Sequence, residues 1–238
     1  MSTIIYQKPH DIAKFMALKL AAISHSKKES IHIALSGGST PKAIFQYIAE
    51  SDKTYSINWS RLHFWWADER CVEIESPESN YGEAKRILFD HININTENLH
   101  PMNGTMPPKE AALSYQQSLK QNLPIENNLP YFDWIWLGMG DDGHTASLFP
   151  HGVPLNTSDW TAFAKRPISK QNRITLTLCV LNNAKTIDFL VTGESKAKML
   201  KKVLEDKIDA INYPAKSIKP TTGDLLWHID KTAAVHLG

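Results

Sequence analysis

The sequence predicts an α/β protein with three αβα layers, in which a mostly parallel sheet lies between helices. Several short runs, such as IHIAL at Ile31–Leu35, are apolar throughout, and strands without polar alternation are typical of sheets covered on both faces. Segments with apolar residues at helical spacing separate these runs, and this alternation favours parallel pairing. Ligands of such folds bind at the carboxyl ends of the strands, so the segments that follow the strands are candidates for the functional site.

The periodicity of each segment predicts the elements. The first helix has Ile12, Phe15, Met16, Leu20 and Ile23 on one face. In chain order we predict helix 10–24, strand 31–35, helix 41–50, strand 62–67, helix 80–91, helix 109–122, strand 132–138, strands 173–178 and 186–193, and helix 195–206, with 225–230 as a candidate for a last strand. No internal repeat or low-complexity linker interrupts this series, so we predict one domain over residues 1–238 whose strands form one sheet.

Composition and charge argue against several classes of function. The 238 residues suffice for one domain with its own core, and the formal net charge of +1 provides no overall field for nucleic acid or an anionic membrane. The two cysteines, Cys71 and Cys179, are far apart, which argues against a disulfide framework or a zinc site. The amino terminus lacks the features of a signal peptide, and no apolar stretch approaches the length of a membrane span. We therefore expect a cytoplasmic protein without nucleic-acid or membrane partners.

The segment LSGGSTP follows the first predicted strand. Gly37 and Gly38 allow a tight turn and a close approach of the backbone to a ligand. Thr40 is a candidate N-cap of the next helix, and Pro41 suits its first turn. Backbone N–H groups and the helix dipole would then favour an anion such as phosphate. The pattern also suits a plain strand-to-helix turn, and this motif alone leaves both interpretations open.

The segment ADER follows the second predicted strand. Arg70 carries a forked donor suited to phosphate or to negative charge in a transition state, and Asp68 and Glu69 are placed to orient it. A solvated charged loop is the alternative interpretation. The position directly after a buried strand keeps the functional interpretation open.

The segment LGMGDDGHTASLFP follows the third predicted strand and contains three glycines that allow it to wrap around a ligand. Asp141 and Asp142 come shortly before His144, and an aspartate two residues from a histidine can support it by a hydrogen bond and by charge. A histidine so supported is the usual general base. Which of the two aspartates contacts the imidazole remains open at this point.

The segment VTGESKAKML follows the fourth predicted strand, with Gly193 at the strand end and Ser195 at the start of a helix. Lys196 would then lie in the first turn, beside the positive end of the helix dipole, where an anionic ligand would relieve the repulsion. An exposed lysine that points away from any site is the alternative interpretation.

These four segments, in this order, resemble the 6-phosphogluconolactonase family. The motifs SGGSTP, DER followed by ESNYGEAKRIL, DGHTASLFP, RITLTLCVLN and TGESKAKML carry the resemblance, which covers nearly the whole chain. The ending YPAKSIKPTTGDLLWHID also resembles the family's last strand, although His228 stands where an aromatic residue is more usual. Glucosamine-6-phosphate deaminases share the fold, but their Gly-His loop continues toward Ile-Ala-Phe-Asn-Glu-Pro. The continuation Thr-Ala-Ser-Leu-Phe-Pro in this chain favours the lactonase.

The resemblance implies a modified Rossmann-like fold and hydrolysis of 6-phospho-D-glucono-1,5-lactone to 6-phospho-D-gluconate in the oxidative pentose phosphate pathway. It implies general-base activation of water without a covalent intermediate, and no metal or organic cofactor. The predicted catalytic residues are His144, Asp142 and Arg70; the predicted substrate-binding residues are Gly37, Gly38, Ser39, Thr40, Asp68, Arg173 and Lys196. Whether Arg70 faces the phosphate or C1 is left open. The expected partner is a small phosphorylated sugar lactone, and the expected state is a monomer or a weak homodimer.

Two rival functions fit the same fold. One is an isomerase/deaminase acting on an amino-sugar phosphate, against which the continuation after His144 argues. The other is a catalytically silent sugar-phosphate sensor, which would tend to lose the Asp-His pair or Arg70, and this chain has both.

Overall fold

A computed structural model of the chain describes residues 1–153, 155–206 and 209–238. Within these ranges the elements are β1 (Ser2–Tyr6), α1 (Pro9–Ser24), β2 (Ile31–Leu35), α2 (Ser39–Tyr55), β3 (Leu62–Trp66), β4 (Asp68–Arg70), α3 (Asn80–Ile87), β5 (Leu99–His100), α4 (Pro108–Asn122), β6 (Ile125–Glu126), β7 (Leu129–Pro130), β8 (Trp134–Leu137), β9 (Thr161–Lys165), β10 (Asn172–Leu176), α5 (Leu178–Leu181), β11 (Thr186–Val191), α6 (Ala197–Leu204) and β12 (Asp224–Asp230).

The central sheet has the order β1-β12-β11-β8-β2-β3-β5, and every neighbouring pair in it is parallel. Strands β2 and β8 are buried at every position, as expected for strands covered on both faces. The prediction of a mostly parallel α/β sheet flanked by helices is therefore confirmed. Among the described residues, no helix is long and apolar enough to span a membrane.

The prediction missed strand β1, which forms one edge of the central sheet beside β12. Four of its five residues are exposed, so its sequence STIIY lacks the continuous apolar signal of the inner strands. Pairing with β12, more than two hundred residues away in the chain, supplies the backbone hydrogen bonds that stabilise it.

The prediction that all strands form one sheet was wrong. Strand β10, which carries Arg173, belongs to a separate three-stranded antiparallel sheet in the order β4-β10-β9. The segment Asp68–Arg70, expected as a loop, is strand β4 of this second sheet. A short apolar run identifies a buried strand. It does not show which strands pair with it, because those strands come from distant parts of the chain. The register places Arg173 directly opposite Arg70.

Several helix ends also differ from the prediction, among them the end of helix α2, which continues to Tyr55. Helix α2 begins at Ser39, with Gly38 at the N-cap at a φ of 111°, so Thr40 lies inside the first turn and does not cap it. Helix α3 ends at Ile87, and a 3₁₀ turn follows it. The helix expected from residue 195 begins at Ala197, after a 3₁₀ turn that includes Lys196. Short 3₁₀ turns are common at helix ends and leave little trace in the apolar periodicity.

Three histidines lie together on neighbouring strands of the central sheet. His63 Nδ1 is 3.2 Å from His100 Nε2, and the rings of His32 and His63 have centroids 4.9 Å apart. Trp65 donates from Nε1 to His32 Nδ1 at 3.2 Å and stacks on His100. Burial, with a smaller contribution from His63, lowers the pKa of both His32 and His100 to about 4. The cluster is therefore neutral in the folded protein near neutral pH.

We expect this cluster to make the fold sensitive to acid. The unfolded chain takes up protons at the ordinary histidine pKa of 6.5, whereas His32 and His100 in the folded protein do so at about 4. The free energy of unfolding should therefore fall as the pH falls from about 6.5 towards 4. Urea denaturation between pH 7.5 and 5.5 measures this slope. His100→Phe keeps an aromatic ring against Trp65 but removes one titrating group, so an unchanged slope in this variant would contradict the assignment.

Candidate active site

A cleft of about 230 Å³ lies where strands β2 and β8 of the central sheet end, beside the second sheet. Its position agrees with the rule that ligands of parallel α/β sheets bind at the carboxyl ends of the strands. The lining residues are Ser36, Gly37, Gly38, Asp68, Arg70, Asn80, Gly138, Met139, Gly140, Asp141, His144, Ala146, Arg166, Arg173 and Lys196. Of the other predicted residues, Ser39 and Thr40 line an adjoining hollow of about 100 Å³, together with Lys196. Asp142 lies behind the imidazole of His144.

The two aspartates before His144 have different partners. Asp142 Oδ1 contacts His144 Nδ1 and also accepts the backbone N–H of His144 at 3.1 Å. Asp141 Oδ1 instead accepts a hydrogen bond from Lys196 Nζ at 2.6 Å. Asp142 is therefore the aspartate that contacts the imidazole, and its contact with Nδ1 leaves Nε2 as the ring nitrogen available to water or substrate.

The carboxyl of Asp142 is held in its charged form. Burial acts to raise its pKa, but hydrogen bonds from the imidazole and backbone N–H of His144 outweigh burial and lower the pKa to about 2. A carboxylate that stays ionised beside Nδ1 favours the tautomer with a proton on that nitrogen and stabilises the imidazolium once Nε2 is protonated.

Glycine is required where the loop folds back on His144. Gly140 donates its N–H to the His144 carbonyl at 2.8 Å, and a side chain at Gly140 would overlap with the imidazole. Gly143 adopts a φ of 79°, which L-residues rarely do, and donates to the Gly140 carbonyl at 3.0 Å. Thr145 Oγ1 donates to the Gly138 carbonyl at 2.8 Å and closes the loop. These contacts explain the spacing of glycines noted in the sequence.

Guanidinium groups line the wall of the cleft formed by the second sheet. Arg70 and Arg173 face each other across strands β4 and β10, and Arg166 follows strand β9 on the same side. Burial lowers the pKa of Arg173, whereas Asp68, whose Oδ2 lies 3.6 Å from Arg173 Nη1, raises it. Arg70 Nε is buried without a hydrogen-bond partner among the described residues. With Lys196, these groups provide an anion-binding environment that the overall charge did not reveal.

Glu69 does not orient the guanidinium of Arg70, contrary to the prediction. Its carboxylate is buried and accepts the backbone N–H groups of Arg70, Asn80 and Tyr81 at 2.7–2.8 Å. It thereby binds the first turn of helix α3 to strand β4. The side chain of Asn80 then lies against Gly37, where any Cβ would overlap with it, and donates to the Asp68 carbonyl at 2.8 Å.

The glycine-rich turn after strand β2 brings the amino terminus of helix α2 to the cleft. Gly38 caps the helix, so the free N–H groups of the first turn lie next to the hollow that Ser39 and Thr40 line. Thr40 Oγ1 is 2.8 Å from Thr192 Oγ1, a contact that joins this turn to the end of strand β11. The hydroxyl of Ser36 is buried without a hydrogen-bond partner among the described residues.

The motifs did not single out five of the lining residues, which are Ser36, Asn80, Met139, Ala146 and Arg166. Ser36 belongs to the motif LSGGSTP, in which only Gly37, Gly38, Ser39 and Thr40 were predicted to bind the substrate. Asn80 begins a predicted helix, and Arg166 lies in a polar stretch among several other charges, so neither had a distinguishing pattern. Within the described ranges, no group of three His, Cys, Asp or Glu side chains is arranged to hold a metal ion.

Comparison with known proteins finds relatives over most of the chain. A family model described as glucosamine-6-phosphate isomerases/6-phosphogluconolactonase matches residues 8–227. The 6-phosphogluconolactonase of Haemophilus influenzae is 46% identical over 203 residues, which are 85% of this chain and 86% of that protein. The solved structure of the devB protein has a TM-score of 0.95 at 39% identity, with 100% of each chain covered. A monomeric glucosamine-6-phosphate deaminase has a TM-score of 0.83 at 20% identity over 99% of this chain and 100% of that one, which shows a shared fold.

Proposed function

The chain belongs to the glucosamine-6-phosphate isomerase/6-phosphogluconolactonase family, and from that premise we propose that it hydrolyses 6-phospho-D-glucono-1,5-lactone to 6-phospho-D-gluconate in the oxidative pentose phosphate pathway. One observation carries the proposal. A histidine supported by an ionised aspartate shares a small cleft with several cationic side chains. This arrangement suits general-base chemistry on a substrate that bears an anionic group.

The reaction needs a water molecule activated for attack on the lactone carbonyl. His144 takes a proton from this water through Nε2, while Asp142 stabilises the resulting imidazolium. Arg70 or backbone N–H groups of the glycine-rich loop stabilise the oxyanion of the tetrahedral intermediate. His144 then returns the proton to the ring oxygen as the C1–O bond breaks. Water is the nucleophile throughout, so no covalent intermediate with the protein forms.

The phosphate lies far from the bond that breaks and anchors the substrate. We assign it to the turn of Gly37, Gly38, Ser39 and Thr40, together with Arg173 and Lys196; Asp68 orients Arg173. Support comes from the free N–H groups of the first turn of α2, from the Arg173–Asp68 pair and from Lys196, which lines both the cleft and the adjoining hollow. Because Thr40 Oγ1 already contacts Thr192, we expect Thr40 to contribute mainly through its backbone N–H.

A coupled assay tests the function. Glucose-6-phosphate dehydrogenase generates the lactone, and the appearance of 6-phosphogluconate is followed above the rate of spontaneous hydrolysis. We expect clear acceleration by the purified protein and no release of ammonia from glucosamine 6-phosphate. Ammonia release without lactone hydrolysis would favour the isomerase/deaminase, and binding of 6-phosphogluconate without either activity would favour a sugar-phosphate sensor.

Removal of the Lys196 ammonium should weaken substrate binding more than it slows the chemical step. We expect Lys196→Ala to raise KM by about tenfold while kcat changes by less than about threefold. The lysine contacts a phosphate remote from the reacting bond, so its hydrogen bond stabilises the bound substrate and the transition state equally. Lys198→Ala, which removes an exposed lysine of the neighbouring helix α6, is the matched control. An unchanged KM in Lys196→Ala would show that this lysine serves only Asp141.

We further propose that residues 1–238 act as one α/β domain, because strands from both ends of the chain pair within the central sheet. We propose that the protein works in the cytoplasm as a monomer or weak homodimer, with a small phosphorylated lactone as its partner and without nucleic acid or membrane. Light scattering coupled to gel filtration measures the oligomeric state.

A further inference from the structure

A strained turn directly follows the candidate catalytic histidine. The Leu148 N–H donates to the Thr145 carbonyl at 2.9 Å, which closes a four-residue turn with Ala146 and Ser147 at its centre. Ala146 has a φ of 48°, a left-handed conformation that a residue with a Cβ adopts at a cost. Ala146 lines the cleft, whereas Ser147 is fully buried beneath it. Backbone strain of this kind persists where the surrounding contacts require one geometry.

The turn directs the hydroxyl of Ser147 at a residue of the cleft. Ser147 Oγ donates to Asp68 Oδ2 at 2.6 Å, and Arg173 Nη1 lies 3.6 Å from the same carboxylate oxygen. The Ser147 backbone is itself held, because its N–H donates to Thr175 Oγ1 at 3.1 Å. All three side chains in the series Ser147–Asp68–Arg173 are buried, so solvent does little to screen these contacts.

We propose that Ser147 is a positioning residue for substrate binding. Its hydroxyl holds the Asp68 carboxylate in the orientation in which Asp68 fixes the guanidinium of Arg173 towards the cleft. The anionic group of the substrate then meets a cation that is already in place, and binding does not have to order it. This inference rests on the proposed function, in which Arg173 binds the phosphate. The segment after His144 therefore does more than close the loop, because its turn connects the general base to the phosphate site.

The experiment compares Ser147→Ala with Thr161→Val on two substrates. Thr161 is also a buried residue of the second sheet, but its hydroxyl donates to the Ala112 carbonyl of helix α4 and not to Asp68. For Ser147→Ala we expect KM for the phosphorylated lactone, and the dissociation constant of 6-phosphogluconate by calorimetry, to rise about tenfold, with kcat within about threefold. Activity on unphosphorylated D-glucono-1,5-lactone should remain at the wild-type level. Thr161→Val should lower the melting temperature without changing either binding constant.

One further variant guards against a failure of Ser147→Ala to fold, and a double variant tests whether Ser147 acts through Asp68. Ser147→Cys keeps a side chain of similar shape, slightly larger and with a weaker donor, and should raise KM in the same direction by a smaller factor. In an Asp68→Asn background, where the charge that holds Arg173 is gone, adding Ser147→Ala should change KM by less than about twofold. A wild-type KM in folded Ser147→Ala, or an equal loss of activity on both lactones, would overturn the inference. A wild-type protein that does not accelerate lactone hydrolysis would instead contradict the proposed function, and the calorimetric constants would still test Ser147.

Discussion

Replacement of His144 by alanine is expected to lower kcat by about a thousandfold and to leave the fold intact. A positioned general base contributes about 10²–10⁴ in rate, and the proposed mechanism uses the same imidazole to activate water and then to protonate the leaving oxygen. The fold should tolerate the change because the His144 side chain is partly exposed at the cleft and, among the described residues, has only one edge of its ring against a buried side chain, that of Phe149. KM should change little, since the phosphate contacts remain in place.

The coupled assay, corrected for spontaneous hydrolysis of the lactone, measures this loss. His151→Asn is the matched control, because His151 lies seven residues further along, does not line the cleft and has a φ of 56°, which asparagine adopts more readily than most residues. Circular dichroism and thermal unfolding establish that both variants are folded. A folded His144→Ala protein with a kcat within tenfold of the wild type would refute the assigned role.

A methyl group at Gly140 is expected to lower kcat by about a hundredfold, although Gly140 takes no part in the chemistry. The Cβ of an alanine would overlap with the imidazole of His144 and come within 2.7 Å of Asp142 Oδ1. The ring must therefore move away from Asp142, or the loop must open, and either change separates the base from the carboxylate that supports it. A displacement of about 1 Å at a reacting group can cost about 10² in rate.

Gly138→Ala provides a matched control in the same loop. A Cβ built at Gly138 meets nothing within 4 Å, so the methyl group should leave kcat near the wild-type value, and any obstruction of the cleft should appear in KM. The pH profile of kcat gives a second readout, because loss of the contact with Asp142 should shift the profile of Gly140→Ala relative to the wild type. If both alanine variants have wild-type kcat, the loop accommodates a methyl group at Gly140 without separating His144 from Asp142, and the requirement for glycine at this position is refuted.

Most of the central sheet could be predicted because its strands carry a local signal. The apolar runs that became β2, β3, β8 and β11 lie where they were expected, since burial on both faces removes polar residues from a strand. The edge strand β1 was missed for the converse reason, since an exposed strand need not be apolar. The second sheet was also missed, because antiparallel pairing of β4 with β10 joins segments about a hundred residues apart.

The residues of the candidate site also fall into those that a local motif reveals and those that depend on distant contacts. His144, Arg70 and Lys196 could be selected because they follow buried strands in motifs rich in glycine or charge. The motifs could not decide between Asp141 and Asp142, since both lie close to His144 in sequence. The structure separates them because Lys196, more than fifty residues further along, engages Asp141.

Local sequence patterns determine the fold class, the strand ends that carry functional residues and the family resemblance. The sequence alone was therefore sufficient to predict all three. The second sheet, the partner of each aspartate and the cluster of arginines depend on which distant segments meet. The link from Ser147 through Asp68 to Arg173 is of this second kind, because it joins three segments that are each remote in the chain. Periodicity reports whether a residue is buried, whereas the direction and partner of a buried hydroxyl or carboxylate are set only when the strands and turns pack together.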